Sequence, residues 1–246
     1  MFFYKVFLLL LTSLLITPVL ATETDNRSSQ SNTSKRPAPP KRIPPNKVKP
    51  GGGLSFARQA CTASKSSLTA LIPIENPVLT AKAYPSFLFY IPDRPAAMSH
   101  GEFTLFTAEE KTRVYAAKVN LKNTPGIIKI DLPNDAQYAL KEKQPYHWYF
   151  KVYCQESNST VYLDVDGWIE RVPASYTTSR QNETMPGIWY DAIATTVQAL
   201  LDAPQDPTIR QQWLKLLQFI DREHLVDANI QSIPTATTEL SQKALK

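Results

Sequence analysis

The chain has 246 residues, with 27 Lys or Arg against 22 Asp or Glu, 20 Pro and only 2 Cys. Its net charge of +5 is uneven: residues 22–58 hold eight Lys or Arg against two acids, and with Lys5 set aside the chain from residue 59 onward nets −2. A slightly acidic main portion argues against a nucleic-acid partner. The three histidines, His100, His147 and His224, have no second ligand at metal spacing, so no metal site is expected; no phosphate-loop or serine-hydrolase motif is present, and no cofactor is expected.

The N-terminus reads as a secretory leader over residues 1–21. Lys5 supplies the positive region, residues 6–16 the apolar core, and Val19 and Ala21 the small residues before a cut after Ala21. An uncleaved membrane anchor is the alternative, since residues 2–21 approach the roughly 20 apolar residues that span a bilayer. Export places the protein in the periplasm or outside the cell. Residues 22–53 then form a basic, Pro-rich linker, with prolines at 37, 39, 40, 44, 45 and 50 and a Gly51–Gly53 hinge. Such a stretch has too little apolar surface to offset its ordering entropy, so it is expected to be disordered. Its positive charge suits an anionic cell-wall polymer or membrane surface; a plain solubilising linker is the other reading.

Seven strands are expected between residues 68 and 172: 68–74, 86–91, 102–106, 112–119, 127–132, 145–154 and 161–172. Turn residues such as Pro92-Asp93, Pro125-Gly126 and Pro133-Asn134-Asp135 separate them. Seven short strands in about a hundred residues, with no helical pattern between, point to an immunoglobulin- or fibronectin-like antiparallel β-sandwich over residues 54–173. Leu140, six residues before Tyr146, resembles the tyrosine corner of such sandwiches, where the phenol bonds back to the preceding connection.

The sixth and seventh strands form a hairpin whose pairing can be read from parity. If Cys154 faces Val161, then Val152 faces Leu163, Phe150 faces Val165, Trp148 faces Gly167 and Tyr146 faces Ile169. That set is apolar throughout, apart from the Tyr146 hydroxyl, and Gly167 leaves room for the indole. The opposite face sets Tyr153 against Tyr162, Lys151 against Asp164, Tyr149 against Asp166 and His147 against Trp168. A slip of one residue would mix the two sets, so the register is well specified. This second face, with His147, Tyr149, Tyr153, Tyr162, Asp164 and Trp168, is the candidate binding face. It either lies under the C-terminal helices, binds a partner or glycan, or forms a subunit contact.

A helical hairpin is expected over residues 186–228. Ile188, Trp189, Ala192, Ile193, Val197, Leu200 and Leu201 recur at helical spacing in the first helix. Asp206-Pro207 caps the second, which carries Ile209, Trp213, Leu216, Leu217 and Ile220 and runs to about residue 225. One pair cannot bury its own apolar stripes, so Trp189 and Trp213 are the candidate helical contacts with the sandwich or a partner. Residues 229–246 read as a flexible tail.

An even cysteine count in an exported chain reads as a disulfide between Cys61 and Cys154, closing a loop of more than ninety residues. The chain-entropy model gives such a bridge about 4–5 kcal/mol. Two reduced cysteines are the alternative. No Cys-x-x-Cys is present, so a redox role is not expected.

Six segments in order resemble one family: Leu68-Thr-Ala-Leu-Ile-Pro73, Tyr84-Pro-Ser-Phe-Leu-Phe-Tyr-Ile-Pro92, Thr124-Pro-Gly-Ile-Ile128, Tyr146-His-Trp-Tyr-Phe150, Asp166-Gly-Trp-Ile-Glu-Arg171 and Gly187-Ile-Trp-Tyr-Asp-Ala192. They resemble the cyanobacterial "domain of unknown function 928" family over residues 61–225. The resemblance implies an exported cyanobacterial protein and is consistent with Cys61 and Cys154 being family positions. It brings no catalytic residue. Family members described near sensor proteins with extracellular input domains imply a signalling accessory role.

The functional expectation is an exported, non-enzymatic binding protein of the cell envelope that recognises a protein partner. A glycan- or peptidoglycan-binding module is the alternative, since rings beside carboxylates stack on sugars and bond their hydroxyls. A secreted hydrolase is the third class. Asp164 and Asp166, two apart on one strand face, could serve it as a carboxylate pair, but neighbours on a strand face fall at glycosidase spacing by geometry alone.

Overall fold

Among the described residues the longest alternating runs pair as expected, and the shorter strands depend on partners far away in sequence. The computed structural model describes residues 67–74, 77–92, 98–121, 124–156, 159–177 and 188–233. The described strands are β1 (Thr69–Ala70), β2 (Val78–Thr80), β3 (Ser86–Ile91), β4 (Met98–Thr107), β5 (Arg113–Val119), β6 (Gly126–Asp131), β7 (Pro145–Glu156), β8 (Ser159–Arg171) and β9 (Ile230–Ile233). The helices are α1 (Trp189–Asp202) and α2 (Pro207–Phe219). Leader, linker and Cys61 lie outside the described residues, as does most of the expected tail.

The strands make two sheets, one ordered β1-β3-β6-β9 and the other β2-β8-β7-β4-β5. Most pairings are antiparallel, but β2 runs parallel to β8 and β6 parallel to β9. The expected all-antiparallel arrangement is therefore corrected to two mixed sheets. Parallel neighbours need a long crossover between them. The chain supplies it, since β9 arrives only after the β7–β8 hairpin and both helices. β2 and β9 were not expected from sequence, having three and four residues. The expected tail thus opens with a strand. The expected strand at 68–74 shortens to β1, with Leu71 N–H still bonded to the Leu88 carbonyl at 2.9 Å.

The inner faces of the two sheets meet in an aromatic core. Phe87 and Phe89 of β3 pack on Phe103 of β4 and on Trp148 and Phe150 of β7. The Phe87–Phe103 and Phe89–Phe150 centroids are 4.6 and 4.4 Å apart. All five side chains are buried. Rings of this size bury 150–250 Å² each and dominate core energetics.

The β7–β8 register matches the expected one at every position from Tyr146↔Ile169 to Cys154↔Val161. At Gly167 an added Cβ would lie 2.9 Å from Cε2 of Trp148, with another ring carbon closer still. Gly126 follows a cis Thr124–Pro125 bond and sits at φ 147°, where a Cβ would meet the Asn229 carbonyl oxygen at 2.6 Å. The Tyr146 hydroxyl accepts the Lys141 N–H at 2.9 Å, as the corner reading expected.

Both helices follow their apolar periodicity. Asp206 caps α2, accepting from the N–H groups of Thr208 and Ile209, with Pro207 in the first turn. Helix α2 ends at Phe219, short of the expected 225, and a single 3-10 turn follows at Glu223–Leu225. Helix α1 packs against β2, β3 and β9. Asp191 in its first turn accepts from the Thr80 hydroxyl at 2.6 Å and the Ala81 N–H at 3.1 Å. The described helices and sheets fall in one compact unit. None of the described helices is long and apolar enough to cross a membrane.

Candidate functional site

The outer face of the five-stranded sheet is built in cross-strand rows. One row runs Lys118, Glu102, Lys151, Asp164, alternating in charge across β5, β4, β7 and β8. Opposite charges on facing positions attract, and each such pair contributes roughly 0.2–1 kcal/mol. The next row runs Ala116, Thr104, Tyr149, Asp166, and the one after it Arg113, Phe106, His147, Trp168. Ala116 and Thr104 are short residues between taller ones. Over this part of the sheet lies an open depression of about 330 Å³, lined by Glu102, Thr104, Phe106, Glu110, Tyr149, Lys151 and Tyr153.

Below its rim, His147 is clamped. Its Nδ1 lies 2.7 Å from Oε1 of Glu110 and its Nε2 lies 2.8 Å from Oδ2 of Asp166. A neutral imidazole carries one N–H, so both contacts are donated at once only by a doubly protonated ring. The ring stacks on Trp168 with centroids 4.2 Å apart and planes 7° from parallel. The Tyr149 hydroxyl donates to the same Glu110 oxygen at 3.0 Å. Glu110 reaches His147 from the β4–β5 turn, where it holds φ 55°, a left-handed conformation uncommon for a side-chain-bearing residue.

The other expected face residues lie nearby. Tyr153 stacks on His100 at 4.9 Å, and its hydroxyl is pushed up to about 12 by burial, then by the hydrogen bond and charge of Glu102 and by Tyr162. Tyr162 is 43% exposed and has the Lys151 ammonium 4.6 Å above its ring. Burial raises the Asp164 carboxyl above the ordinary range, Lys151 lowers it, and Asp166 raises it again. Asp164 faces Lys151 across the strands, while Asp166 bonds His147. Among the described residues no group of three or more His, Cys, Asp or Glu is placed to hold a metal ion.

The structure divides the expected face. Tyr149 and Tyr153 line the depression and Tyr162 stands exposed beside it, while His147 and Trp168 are buried beneath. Sequence reasoning missed Glu102, Thr104, Phe106 and Glu110. The alternation Phe103, Leu105 inward against Glu102, Thr104, Phe106 outward carried that signal. Only the pairing of β4 with β7 brings the outward set beside Tyr149 and Tyr153.

The helices do not roof this face among the described residues: the strands that α1 packs on are β2, β3 and β9. Trp189 is buried, donating its indole N–H to the Leu71 carbonyl at 2.9 Å, and Trp213 is buried as well. Both serve as core anchors of the helical pair and present no surface to a partner. Cys154 is buried at the end of β7, and Cys61 lies outside the described residues.

Neither a curated protein nor a solved structure matches the chain. A family model described as Domain of Unknown Function (DUF928) matches residues 51–230, well over half the chain and spanning both sheets and both helices. The chain belongs to the DUF928 family.

Proposed function

We propose that the protein is an exported, non-enzymatic binding protein of the cell envelope that recognises a partner protein through the outer face of its five-stranded sheet. The observation that carries this reading is the depression over Thr104, walled by Phe106, Tyr149 and Tyr153, flanked by Glu102, Glu110 and Lys151, and not roofed by either helix. Interface cores are enriched in aromatic residues inside a polar rim, which is the make-up of this patch.

The test is pull-down of envelope proteins by the full mature chain and by Y149A and Y162A. Trp168 is left unchanged because it is buried and its loss would open the core. Loss of the captured protein with an unchanged melting temperature supports the reading; unchanged capture removes the face from consideration. A second reading, a glycan or peptidoglycan module, is favoured by the same rings standing beside carboxylates. Sedimentation with purified peptidoglycan, with and without residues 22–53, separates it from charge-driven binding by the linker, which salt would abolish.

Three narrower readings accompany this one. A disulfide joining Cys61 to Cys154 is supported by the absence of a free cysteine among the described residues. An immunoglobulin- or fibronectin-like sandwich is supported by the two facing sheets and the Tyr146 corner. A link to envelope signalling rests on the family resemblance, and a cyanobacterial source does too.

A further inference from the structure

We infer that the partner of the outer face is a second copy of this chain, and that the charged row Lys118, Glu102, Lys151, Asp164 meets its own reverse in a two-fold contact; this rests on the outer face being the binding surface. The row crosses four neighbouring strands, β5, β4, β7 and β8, and its charges run plus, minus, plus, minus. Read from the other end, the order is minus, plus, minus, plus. The row is therefore complementary to itself when turned end for end.

A two-fold axis supplies that turn, because in such a contact residue i meets j and j meets i. The axis lies between two stacked copies, parallel to the strands and midway between β4 and β7. Lys118 then faces the partner's Asp164, and Glu102 faces the partner's Lys151. Symmetry repeats both pairs, so every charge of the row meets an opposite one. An axis laid across the strands instead sets Lys118 on the partner's Lys118 and each other charge on its own kind. Juxtaposed like charges repel, which rejects that arrangement.

The neighbouring rows accept the same axis. Ala116, Thr104, Tyr149, Asp166 has its short residues on β5 and β4 and its long ones on β7 and β8. Turned end for end, Tyr149 comes opposite the partner's Thr104, which lines the depression, so tall residues cover low ones. Asp166 keeps its bond to His147 and faces only Ala116. In the row beyond, Arg113 comes opposite Trp168 and Phe106 opposite His147, with no like charges paired.

The dimensions agree with a reversible dimer. Packed sheets cross at roughly 30°, and with strands about 4.8 Å apart the ends of the row are displaced by only about 4 Å, within the reach of a lysine. Four strands and four rows cover about 500 Å² per copy, or about 1,000 Å² for the pair, which is the lower bound for a specific interface.

The experiment is sedimentation equilibrium of the full mature chain between about 1 and 500 μM, the weak range that an interface of this size reaches. Wild type is expected to dimerise reversibly. K118E and D164K, each alone, set like charges at two symmetric contacts and should weaken the dimer roughly 10-fold or more. An equimolar mixture of the two should regain wild-type affinity. In the mixed pair one Lys118–Asp164 contact is native and the other has both signs reversed. Lys118 is exposed and Asp164 half-buried, so K118E guards against the chance that D164K does not fold. A wild type that stays monomeric to the highest concentration overturns the inference. So does a dimer that K118E leaves unchanged, or a mixture of folded variants that associates no better than either alone. A monomeric chain that still captures a different protein, with capture lost in Y149A, overturns the inference and leaves the binding face standing.

Discussion

The Trp148 indole donates its N–H to the Tyr190 hydroxyl at 2.7 Å, tying β7 to α1 across 42 residues of sequence. Both side chains are buried, and burial raises the Tyr190 hydroxyl above its ordinary value. Replacing Tyr190 by Phe keeps the ring packed on Phe87 and deletes the acceptor. An indole N–H left buried and unpaired costs about 1–3 kcal/mol. Y190F should lower the unfolding free energy by that amount, read as a lower urea midpoint with no change in the slope. A midpoint equal to wild type would mean that the bond contributes nothing net.

Gly167 is required by the same indole. In G167A the methyl group meets the Trp148 ring inside contact distance and lies 3.0 Å from Ile72 Cδ1 as well. Overpacking of this kind costs about 1–3 kcal/mol. The variant should melt lower, with near-ultraviolet circular dichroism changed at the tryptophan bands. An unaltered melting temperature would show that the ring can shift.

Tyr146 to Phe deletes the corner bond and leaves the Lys141 N–H without that acceptor. The expected loss is about 1 kcal/mol. The effect should be confined to stability, since Tyr146 faces the core and not the depression. A pull-down defect in a folded Y146F would contradict the division of the two faces.

Alkaline stability tests Tyr153. Its hydroxyl is raised to about 12 in the folded protein, first by burial and then by Glu102. In the unfolded chain a tyrosine ionises near pH 10. The folded state therefore holds its proton longer, so this contribution is full below about pH 10 and is lost as the pH rises through about 12. Y153F should lose less stability than wild type between pH 9 and 11.5, measured as urea midpoints. Parallel slopes for the two proteins would refute the assignment. Part of the slope should remain in Y153F, because burial also raises Tyr146 and Tyr190.

The Asp206 cap is a local test. Its carboxylate accepts from two N–H groups of α2 at 2.8 and 3.1 Å. D206A should cost about 1 kcal/mol. Asn should restore most of it, as judged by thermal melts of the three proteins.

Much of the molecule is legible in the chain. The β7–β8 register follows from residue parity, because an alternating strand with one buried face has only one pairing that keeps Trp148, Phe150 and Val152 on the inside. Asp206-Pro207 and the spacing of Trp213, Leu216 and Leu217 define α2 for similarly local reasons. The separation of the hairpin into a core face and an aromatic polar face was fixed at that level too. What the sequence left open was whether the helices cover the second face, and only the tertiary structure shows on which strands α1 packs. The pairing of β4 with β7 joins residues nearly fifty positions apart, and no local pattern encodes which strand lies beside which. That pairing sets Thr104 beside Tyr149 and makes the depression. The left-handed turn at Glu110 brings a carboxylate onto His147, and β2, β3 and β9 draw α1 away from the outer face. Parity and capping are short-range steric rules and can be read along the chain. Strand order, parallel edges and a shared site depend on which surfaces fit each other after collapse.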